Sequence, residues 1–339
     1  MFMRPPFDDA LMGSLLSPPL VSGVATLLPG HRHPGGCGVH TGLFFDHLDP
    51  REGHVLTGQA RLYYRDISEG QPIFILHGGP DFDHNYLLPE MDRLAGWFRL
   101  IYYDQRGRGR SAEGVHPDDV SIRSEMEDLE QLRHHFQLKS VAVLGHSWGG
   151  VLAMEYATRH PDRVSHLILM NTAPASRDDC LMFRQQLLRR RPAGDVEMMQ
   201  ALSSSARYQQ GDLDAEAEYY RIHFRVTLRQ PEHLERIVGR LRSNFTKESV
   251  LTARAIEQRL YEDTWLSAEY DLIPKLGELD IPTLVIHGDE DLVPVEVAAH
   301  IAQAVPGALL SVLQGCGHFA YLEHPDQVHQ QIAAFLTSS

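Results

Sequence analysis

Short, uninterrupted apolar runs recur along most of this chain, and turn residues follow nearly every one of them. Runs of this length without alternation are typical of strands that are buried on both faces of a parallel sheet. Residues 54–64 differ, because apolar and polar positions roughly alternate there, and this predicts an antiparallel hairpin at the entry to the sheet. The continuous runs occupy residues 72–76, 98–103, 141–144, 164–170, 282–286 and 309–313.

Helical spacing connects some of these strands. Residues 121–136 place apolar side chains on one face and acids on the other, and they lead directly into the next strand. Strand–helix–strand alternation predicts an α/β fold with a mostly parallel central sheet flanked by helices. A last amphipathic helix, residues 328–335, should pack Val328, Ile332 and Phe335 on that sheet.

The alternation stops after residue 172. Residues 173–271 contain no convincing strand, only helical stretches rich in Arg, Gln, Glu and Leu. A helical insertion between two halves of one sheet is typical of a cap that shapes the substrate pocket. We therefore predict a core at residues 46–172 and 272–339 with a helical cap at 173–271. A separate helical domain with its own role is the alternative.

Residues 1–45 are rich in Pro and Gly and show no sustained period, which predicts a flexible N-terminal extension. Residues 11–29 resemble a weak secretory signal, but prolines interrupt the apolar stretch, so export is the alternative to a cytoplasmic location. The extension also contains four potential metal ligands whose spacing matches no zinc motif, and we predict no metal site. These residues are His31, His33, Cys37 and His40.

Composition limits the possible functions. With 339 residues and 43% hydrophobic content, the chain can build a large core. Its formal net charge of −14 disfavours nucleic acids and anionic membranes as partners, because phosphate binding needs clustered Lys and Arg. One basic cluster, Arg189, Arg190 and Arg191, is interpreted as a solvated helix end.

The number and spacing of the cysteines and the length of the apolar runs indicate the cellular compartment of the protein. The three cysteines lie far apart and form no Cys-x-x-Cys pair, which argues against a disulfide framework. Sparse cysteine of this kind predicts a reducing compartment, and we expect the cytoplasm. No uninterrupted apolar run reaches the roughly 18 residues that a membrane-spanning helix requires.

The most informative motif is Gly-x-Ser-x-Gly at residues 145–149, which follows an apolar strand and precedes a helical pattern. In that context the serine lies on a strained strand-to-helix turn, with its hydroxyl exposed above the sheet. Gly145 and Gly149 let the strand and the helix approach closely, since neither carries a side chain. Ser147 is therefore the predicted nucleophile, and a chance match in a glycine-rich loop is the alternative.

A second glycine-rich turn, His-Gly-Gly-Pro at residues 77–80, ends the strand at residues 72–76. Ligands bind at the carboxyl edge of open α/β sheets, where main-chain amides can point at a substrate oxygen. We predict that the Gly79 and Trp148 N–H groups form an oxyanion hole, with an ordinary turn as the alternative. The loop at residues 104–111 carries glycines and arginines but lacks the Lys-Ser/Thr of a P-loop, so we interpret it as a structural turn.

An acid and a base are expected at the same edge of the sheet. Asp289 and Asp291 follow the strand at residues 282–286, and either could orient an imidazole. His318 follows the final strand on a glycine-bearing loop and completes the chain order Ser, Asp, His. This order predicts that Ser147 and His318 form a triad with one of the two aspartates.

From about residue 45 to its end, the chain resembles the α/β-hydrolase superfamily, and in particular its proline iminopeptidase branch. The resemblance rests on the motifs at residues 77–80, 104–111 and 145–149. It implies a serine hydrolase of the α/β-hydrolase fold that forms an acyl-enzyme, removes the N-terminal residue from small peptides and requires no metal or organic cofactor. It also assigns the triad to Ser147, Asp291 and His318, with Asp289 as the fallback acid.

In that family, glutamates on the cap hold the free α-amino group of the substrate. Residues 255–261 are similar to a segment that bears such a glutamate, which nominates Glu257. Glu216 and Glu218 lie in the region where a second is expected. The chain departs from the family pattern at Asp81, where glycine is usual, and its cap has no clear Trp-Glu pair.

Three functions remain open at this point. An aminopeptidase would require a free amino terminus, whereas a carboxylesterase or lactonase would use the same triad on a small uncharged ester. A non-catalytic member would bind a ligand under its cap. The partner is expected to be a small-molecule or short-peptide substrate, and the sequence leaves the oligomeric state open.

Overall fold

The computed structural model describes residues 49–58, 60–241 and 243–338, and within them eight strands form one sheet. The extension predicted at residues 1–45, with His31, His33, Cys37 and His40, lies outside the described residues. The strands are β1 (Arg51–Thr57), β2 (Ala60–Ile67), β3 (Pro72–Leu76), β4 (Arg99–Tyr103), β5 (Val141–His146), β6 (Val164–Met170), β7 (Thr283–Gly288) and β8 (Leu309–Leu313).

Most of this sheet is parallel. Its strand order is β1-β2-β4-β3-β5-β6-β7-β8; the β1–β2 and β2–β4 pairs are antiparallel, and every later neighbouring pair is parallel. Nearly every residue of β3, β5, β6 and β7 is buried, as expected for strands covered on both faces. The predicted hairpin and the mostly parallel sheet are therefore confirmed.

Helices that alternate with the strands pack against the sheet. Among these helices, α1 corresponds to the predicted helix at residues 121–136, and the Ser121 hydroxyl caps it by accepting a hydrogen bond from the Ser124 N–H. The helices on the core are α1 (Ile122–His135), α2 (Trp148–Arg159), α9 (Ile273–Leu276), α10 (Val295–Ala304), α11 (Ala320–Glu323) and α12 (Pro325–Thr337).

A run of six further helices interrupts the sheet between β6 and β7. All six lie within residues 173–271, the range that the sequence assigns to a cap. An isolated pair of bridging residues, Ser176 and Asp271, holds the two ends of this insertion together. The helices are α3 (Arg177–Arg190), α4 (Ala193–Ser203), α5 (Ala206–Gln209), α6 (Leu213–Phe224), α7 (Leu234–Arg240) and α8 (Lys247–Asp263).

One detail differs from the sequence analysis. Arg191 was expected in a solvated helix end but is buried, because the chain leaves the helix at Arg190 in an extended conformation and the Arg191 side chain turns inward. Its Nη2 lies 2.9 Å from Nδ1 of His223 on α6. In α12, Val328 and Ile332 are buried, and the half-buried Phe335 ring packs edge-on against His166 of β6 with centroids 5.5 Å apart, so the predicted packing on the sheet is observed.

None of the helices that the structure describes is both long and apolar enough to cross a membrane.

Gly145 offers a direct test of the close approach between β5 and α2. A Cβ added there would lie 2.2 Å from the Gly149 carbonyl oxygen, a main-chain atom that cannot swing away. We expect Gly145→Ala to lower the free energy of unfolding by about 1–3 kcal/mol, the usual cost of overpacking a core. Urea unfolding of the purified variant measures this loss.

Gly194→Ala is the matched control. Gly194 lies on the exposed first turn of α4, where an added Cβ meets no atom within 4 Å. This change should leave the free energy of unfolding unchanged or raise it by up to about 1 kcal/mol, since alanine favours the helix over glycine. Equal stability of the two variants would contradict the close approach at Gly145.

Candidate active site

Ser147 lies on the strained turn between β5 and α2. Its φ of 55° and ψ of −118° are rare for a residue with a side chain, so the surrounding structure must hold the turn. A Cβ added to Gly149 would lie 2.1 Å from the Leu76 carbonyl oxygen, which explains why glycine is needed beside β3. The turn has the geometry that the motif at residues 145–149 predicts.

Three side chains from separate loops meet at this turn. His318 Nε2 lies 3.0 Å from the Ser147 hydroxyl oxygen, and His318 Nδ1 lies 2.8 Å from Oδ1 of Asp291. A carboxylate can only accept hydrogen bonds, so Nδ1 carries the proton and Nε2 is left to accept one from the serine. All three residues are buried. The structure therefore brings the predicted nucleophile, base and acid into one hydrogen-bonded row.

Asp291 is held as an anion. Burial alone would raise its pKa, but attraction to His318 and His287 outweighs burial and lowers the pKa to about 2. The Val293 N–H donates to Oδ1 at 3.0 Å, and the Asn171 side chain donates to Oδ2 at 2.8 Å. The carboxylate is thus ionised and satisfied on both oxygens.

Asn171 is a residue of this site that the sequence analysis missed. It follows β6 directly, and its Nδ2 also donates to the Gly317 carbonyl at 3.0 Å. Asn171 therefore ties the loop of Asp291 to the loop of His318. Its position at the carboxyl end of a central strand was the available signal, since Ser147, Asp291 and His318 also follow the carboxyl ends of strands.

The fallback acid, Asp289, has a different contact. Its Oδ1 accepts a hydrogen bond from the Cys316 N–H at 3.2 Å, and it is Asp291 that contacts the imidazole. Arg190, at the end of α3, donates to the main-chain oxygens of Glu290 and Asp291. This contact links the cap to the loop of Asp291, and Arg190 itself is exposed at the helix end, as expected.

The loop after β3 lies against the nucleophile. A Cβ added to Gly78 would lie 3.0 Å from Cβ of Ser147, and Gly79 has a φ of 122°, which favours glycine. Trp148 is the first residue of α2, so its N–H has no acceptor within the helix and lies at the positive end of the helix dipole. The two predicted oxyanion-hole residues thus flank the turn at Ser147.

Buried ion pairs hold the loop at residues 104–111. Arg106 pairs with Asp128, and Arg108 pairs with Glu125 at 2.7 Å. Because both arginines are buried against acids of α1, they are committed to structural contacts. The loop therefore matches its interpretation as a structural turn.

The cap glutamates have distinct surroundings. Glu216 is buried and ion-paired with Arg254, whose guanidinium lies 3.6 Å from the centre of the Tyr208 ring. Glu257 is also buried and accepts a hydrogen bond from the Tyr261 hydroxyl at 2.8 Å. Glu218 is exposed on α6. The structure therefore buries two of the three nominated acids and leaves the third in solvent.

Glu257 is linked to the nucleophile turn through aromatic rings. The Tyr261 and Trp148 ring centroids are 6.3 Å apart, and both rings pack edge-on or tilted against Trp265. Trp148 directly follows Ser147 in the chain. The acid on α8 thus lies one ring contact away from the residue next to the candidate nucleophile.

Aromatic side chains also connect the cap to the base. Tyr220 and Phe224 on α6 stack with centroids 5.4 Å apart, and Phe224 meets Phe319, the neighbour of His318, at 5.3 Å. Asp81, the departure from the family pattern, accepts a hydrogen bond from the Tyr220 hydroxyl. Asp81 therefore joins the loop after β3 that carries Gly79, hereafter the oxyanion loop, to the cap.

Across residues 49–58, 60–241 and 243–338, no group of three or more His, Cys, Asp or Glu side chains is arranged to hold a metal ion.

The fold and the site together define a family. The sequence profile of the alpha/beta hydrolase fold family matches residues 71–325, which is most of the chain. The chain therefore belongs to the alpha/beta hydrolase fold family and is a hydrolase, and the resemblance noted from its motifs is confirmed.

Its relatives include peptidases. The proline iminopeptidase of Lactobacillus helveticus (strain DPC 4571) is 29% identical over 287 residues, which cover 78% of this chain and 90% of that relative. The structure of proline iminopeptidase from Mycobacterium smegmatis superposes with a TM-score of 0.64 at 23% identity and covers 85% of this chain and 98% of that one. An esterase (EaEST) from Exiguobacterium antarcticum superposes with a TM-score of 0.62 at 20% identity, covering 84% and 98%.

Asp83, beside the oxyanion loop, gives this region a pH-dependent stability. It is fully buried, and burial together with repulsion from Asp104 raises its pKa to about 7. In an unfolded chain the pKa of an aspartate is about 3.9. The native state therefore binds the proton more tightly, and stability falls as pH rises between about 4 and about 7.

Asp83→Asn should remove this dependence, because an amide keeps an oxygen for the Asn85 N–H but cannot ionise. Relative to wild type, the free energy of unfolding of the variant should rise from about pH 4 to about pH 7 and then level off. Urea unfolding at several pH values measures it, with the exposed Asp118→Asn as control. Parallel curves for wild type and Asp83→Asn would contradict the buried carboxyl.

Proposed function

We propose that this hydrolase acts as a serine hydrolase through Ser147, His318 and Asp291. The observation that carries the proposal is the hydrogen-bonded row of these three side chains beside the strained turn. His318 accepts the Ser147 hydroxyl proton as the serine oxygen attacks the substrate carbonyl. Asp291 holds the imidazole in the required tautomer and stabilises its charged form.

The remaining steps follow from the same contacts. The Gly79 and Trp148 N–H groups stabilise the oxyanion of the tetrahedral intermediate. His318 then gives its proton to the leaving group, which departs and leaves an acyl-enzyme on Ser147. A water molecule then gives a proton to His318 and attacks the acyl carbonyl. The bond between the carbonyl carbon and the Ser147 oxygen breaks, the acid is released, and His318 returns the proton to the serine oxygen. No step draws on a cofactor.

We propose further that the substrate is a small peptide from which the N-terminal residue is removed. The resemblance to proline iminopeptidases nominates a cap glutamate for the substrate ammonium, and Glu257 is a buried acid whose partner Tyr261 contacts the Trp148 ring. A carboxylate accepts charge-assisted hydrogen bonds from an ammonium, which is the role proposed for Glu257. Glu218 is exposed and takes no part in this proposal.

One observation favours a second candidate, a carboxylesterase or lactonase. Arg254 already neutralises Glu216, the other buried acid among the three nominated glutamates. A pocket with one acid committed to an internal cation has less charge to offer an ammonium. Small uncharged esters would then use the same triad without needing a free amine.

Ser147→Ala should reduce hydrolysis by at least about 10⁴-fold, since the nucleophile is lost, while the fold is retained. The substrates are a prolyl anilide, its N-acetylated counterpart and a short-chain nitrophenyl ester, with thermal unfolding as the folding control. Turnover of the free prolyl substrate alone supports the aminopeptidase, and turnover of the ester alone supports the second candidate. Retained activity in the variant would refute the nucleophile.

Glu257→Gln tests the ammonium contact. The amide keeps the shape but not the charge, so kcat/KM for the free prolyl substrate should fall about 10- to 100-fold, the range expected for one charge-assisted hydrogen bond. Hydrolysis of the ester should stay at the wild-type rate. Glu262→Gln, at an exposed acid of the same helix, is the matched control. An equal loss on both substrates would exclude a role in amine recognition.

A further inference from the structure

Two buried side chains, Tyr86 and His146, form a chain of hydrogen bonds beside the candidate nucleophile. The Gly78 N–H donates to the Tyr86 hydroxyl at 2.7 Å, and that hydroxyl lies 2.7 Å from Nδ1 of His146. His146 Nε2 lies 3.0 Å from the main-chain oxygen of His318. The chain therefore joins the loop of Gly79 to the loop of His318.

The two ends of this chain determine where its protons lie. The Gly78 N–H can only donate, and the His318 carbonyl can only accept. His146 must therefore carry its proton on Nε2, and its bare Nδ1 accepts from the Tyr86 hydroxyl, whose oxygen accepts from Gly78. A single arrangement, with a neutral imidazole and a neutral phenol, satisfies every donor and acceptor.

The surroundings keep both groups neutral. Tyr86 and His146 are each only 1% exposed. Burial lowers the pKa of His146 to about 3 and raises the pKa of Tyr86. The His146 ring stacks on Phe319 with centroids 5.8 Å apart, and Tyr321 meets it edge-on at 5.4 Å. Water is excluded, so these hydrogen bonds are strong and costly to break.

A buried histidine is usually a satisfied structural group, but the ends of this chain have a particular position. Gly78 directly precedes the predicted oxyanion donor Gly79, and the accepting carbonyl belongs to the predicted base itself. His146 directly precedes Ser147. Rate depends on placing such groups to within a fraction of an ångström, because a shift of about 1 Å can cost about 100-fold.

We propose that Tyr86 and His146 are positioning residues that hold the oxyanion loop and His318 at fixed places on either side of Ser147. The inference rests on the proposed serine hydrolase function. Because both side chains are buried and act through other residues, their loss should lower kcat or the rate of serine acylation and leave KM nearly unchanged.

Substitutions at Tyr86 and His146 test the two ends of this chain of hydrogen bonds separately. Tyr86→Phe removes the acceptor of the Gly78 N–H, and His146→Leu removes both the donor to His318 and the acceptor for Tyr86. His146→Gln offers an amide N–H near the place of Nε2, so it should restore part of the rate lost in His146→Leu. The variant that carries both Tyr86→Phe and His146→Leu should be labelled about as fast as His146→Leu alone, since His146→Leu already breaks the same series of hydrogen bonds.

The experiment measures the rate at which a fluorophosphonate probe labels Ser147. The probe forms an Oγ–P bond, fluoride leaves, and His318 takes the hydroxyl proton, so no natural substrate is needed. We expect Tyr86→Phe and His146→Leu to label about 10- to 100-fold more slowly than wild type. Tyr156→Phe is the matched control, because Tyr156 is fully buried and its hydroxyl donates to Glu130 on α1.

The outcomes distinguish this inference from the proposed function. Absence of labelling in wild type refutes the serine nucleophile. Labelling of wild type and of both variants at the same rate refutes the positioning role. Thermal unfolding of all variants provides the structural readout: if Tyr156→Phe destabilises the protein as much as Tyr86→Phe and slows labelling equally, the effect is general loss of stability and the inference fails.

Discussion

The strained turn at Ser147 is the constraint on which the rest of the site depends. A φ of 55° at a residue with a side chain costs of order 1–3 kcal/mol, so neighbouring contacts must offset it. The Ser147 N–H donates to the Met170 carbonyl, and the Ser147 carbonyl accepts from the Ala173 N–H. These bonds tie the turn to the end of β6, next to Asn171. The residue that orients the acid is thereby placed by the same contacts that hold the nucleophile.

One buried carboxylate, that of Glu323, holds two neighbouring loops together. Glu323 accepts hydrogen bonds from the N–H groups of Gly317, Arg229 and Gln230, and the His318 N–H donates to the Thr227 carbonyl. A cap segment and the loop of the base therefore form one hydrogen-bonded unit. Breaking it would leave a buried carboxylate unsatisfied, which is costly in a dry interior. We expect the cap segment at residues 227–230 and the loop of His318 to move together.

The parts of the fold that the sequence predicted are those with local signals. Strands buried on both faces read as apolar runs, and the turn at Ser147 needs small residues at fixed spacing, so both can be recognised within a few residues. The chain from Tyr86 through His146 to His318 joins residues far apart in sequence and leaves no such pattern. Arg191 was misjudged for the same reason, because its partner His223 lies on another helix of the insertion.

The surroundings of the two buried cap glutamates determine how well each could bind a substrate ammonium. Arg254 neutralises Glu216, so an ammonium binding there would have to displace one cation with another. Glu257 accepts a hydrogen bond from the Tyr261 hydroxyl. A substrate ammonium would then gain about one charge-assisted hydrogen bond, roughly 1.5–3 kcal/mol. That energy corresponds to about 10- to 100-fold discrimination, so the preference of this site for a substrate with a free amine over an ester without one should be moderate.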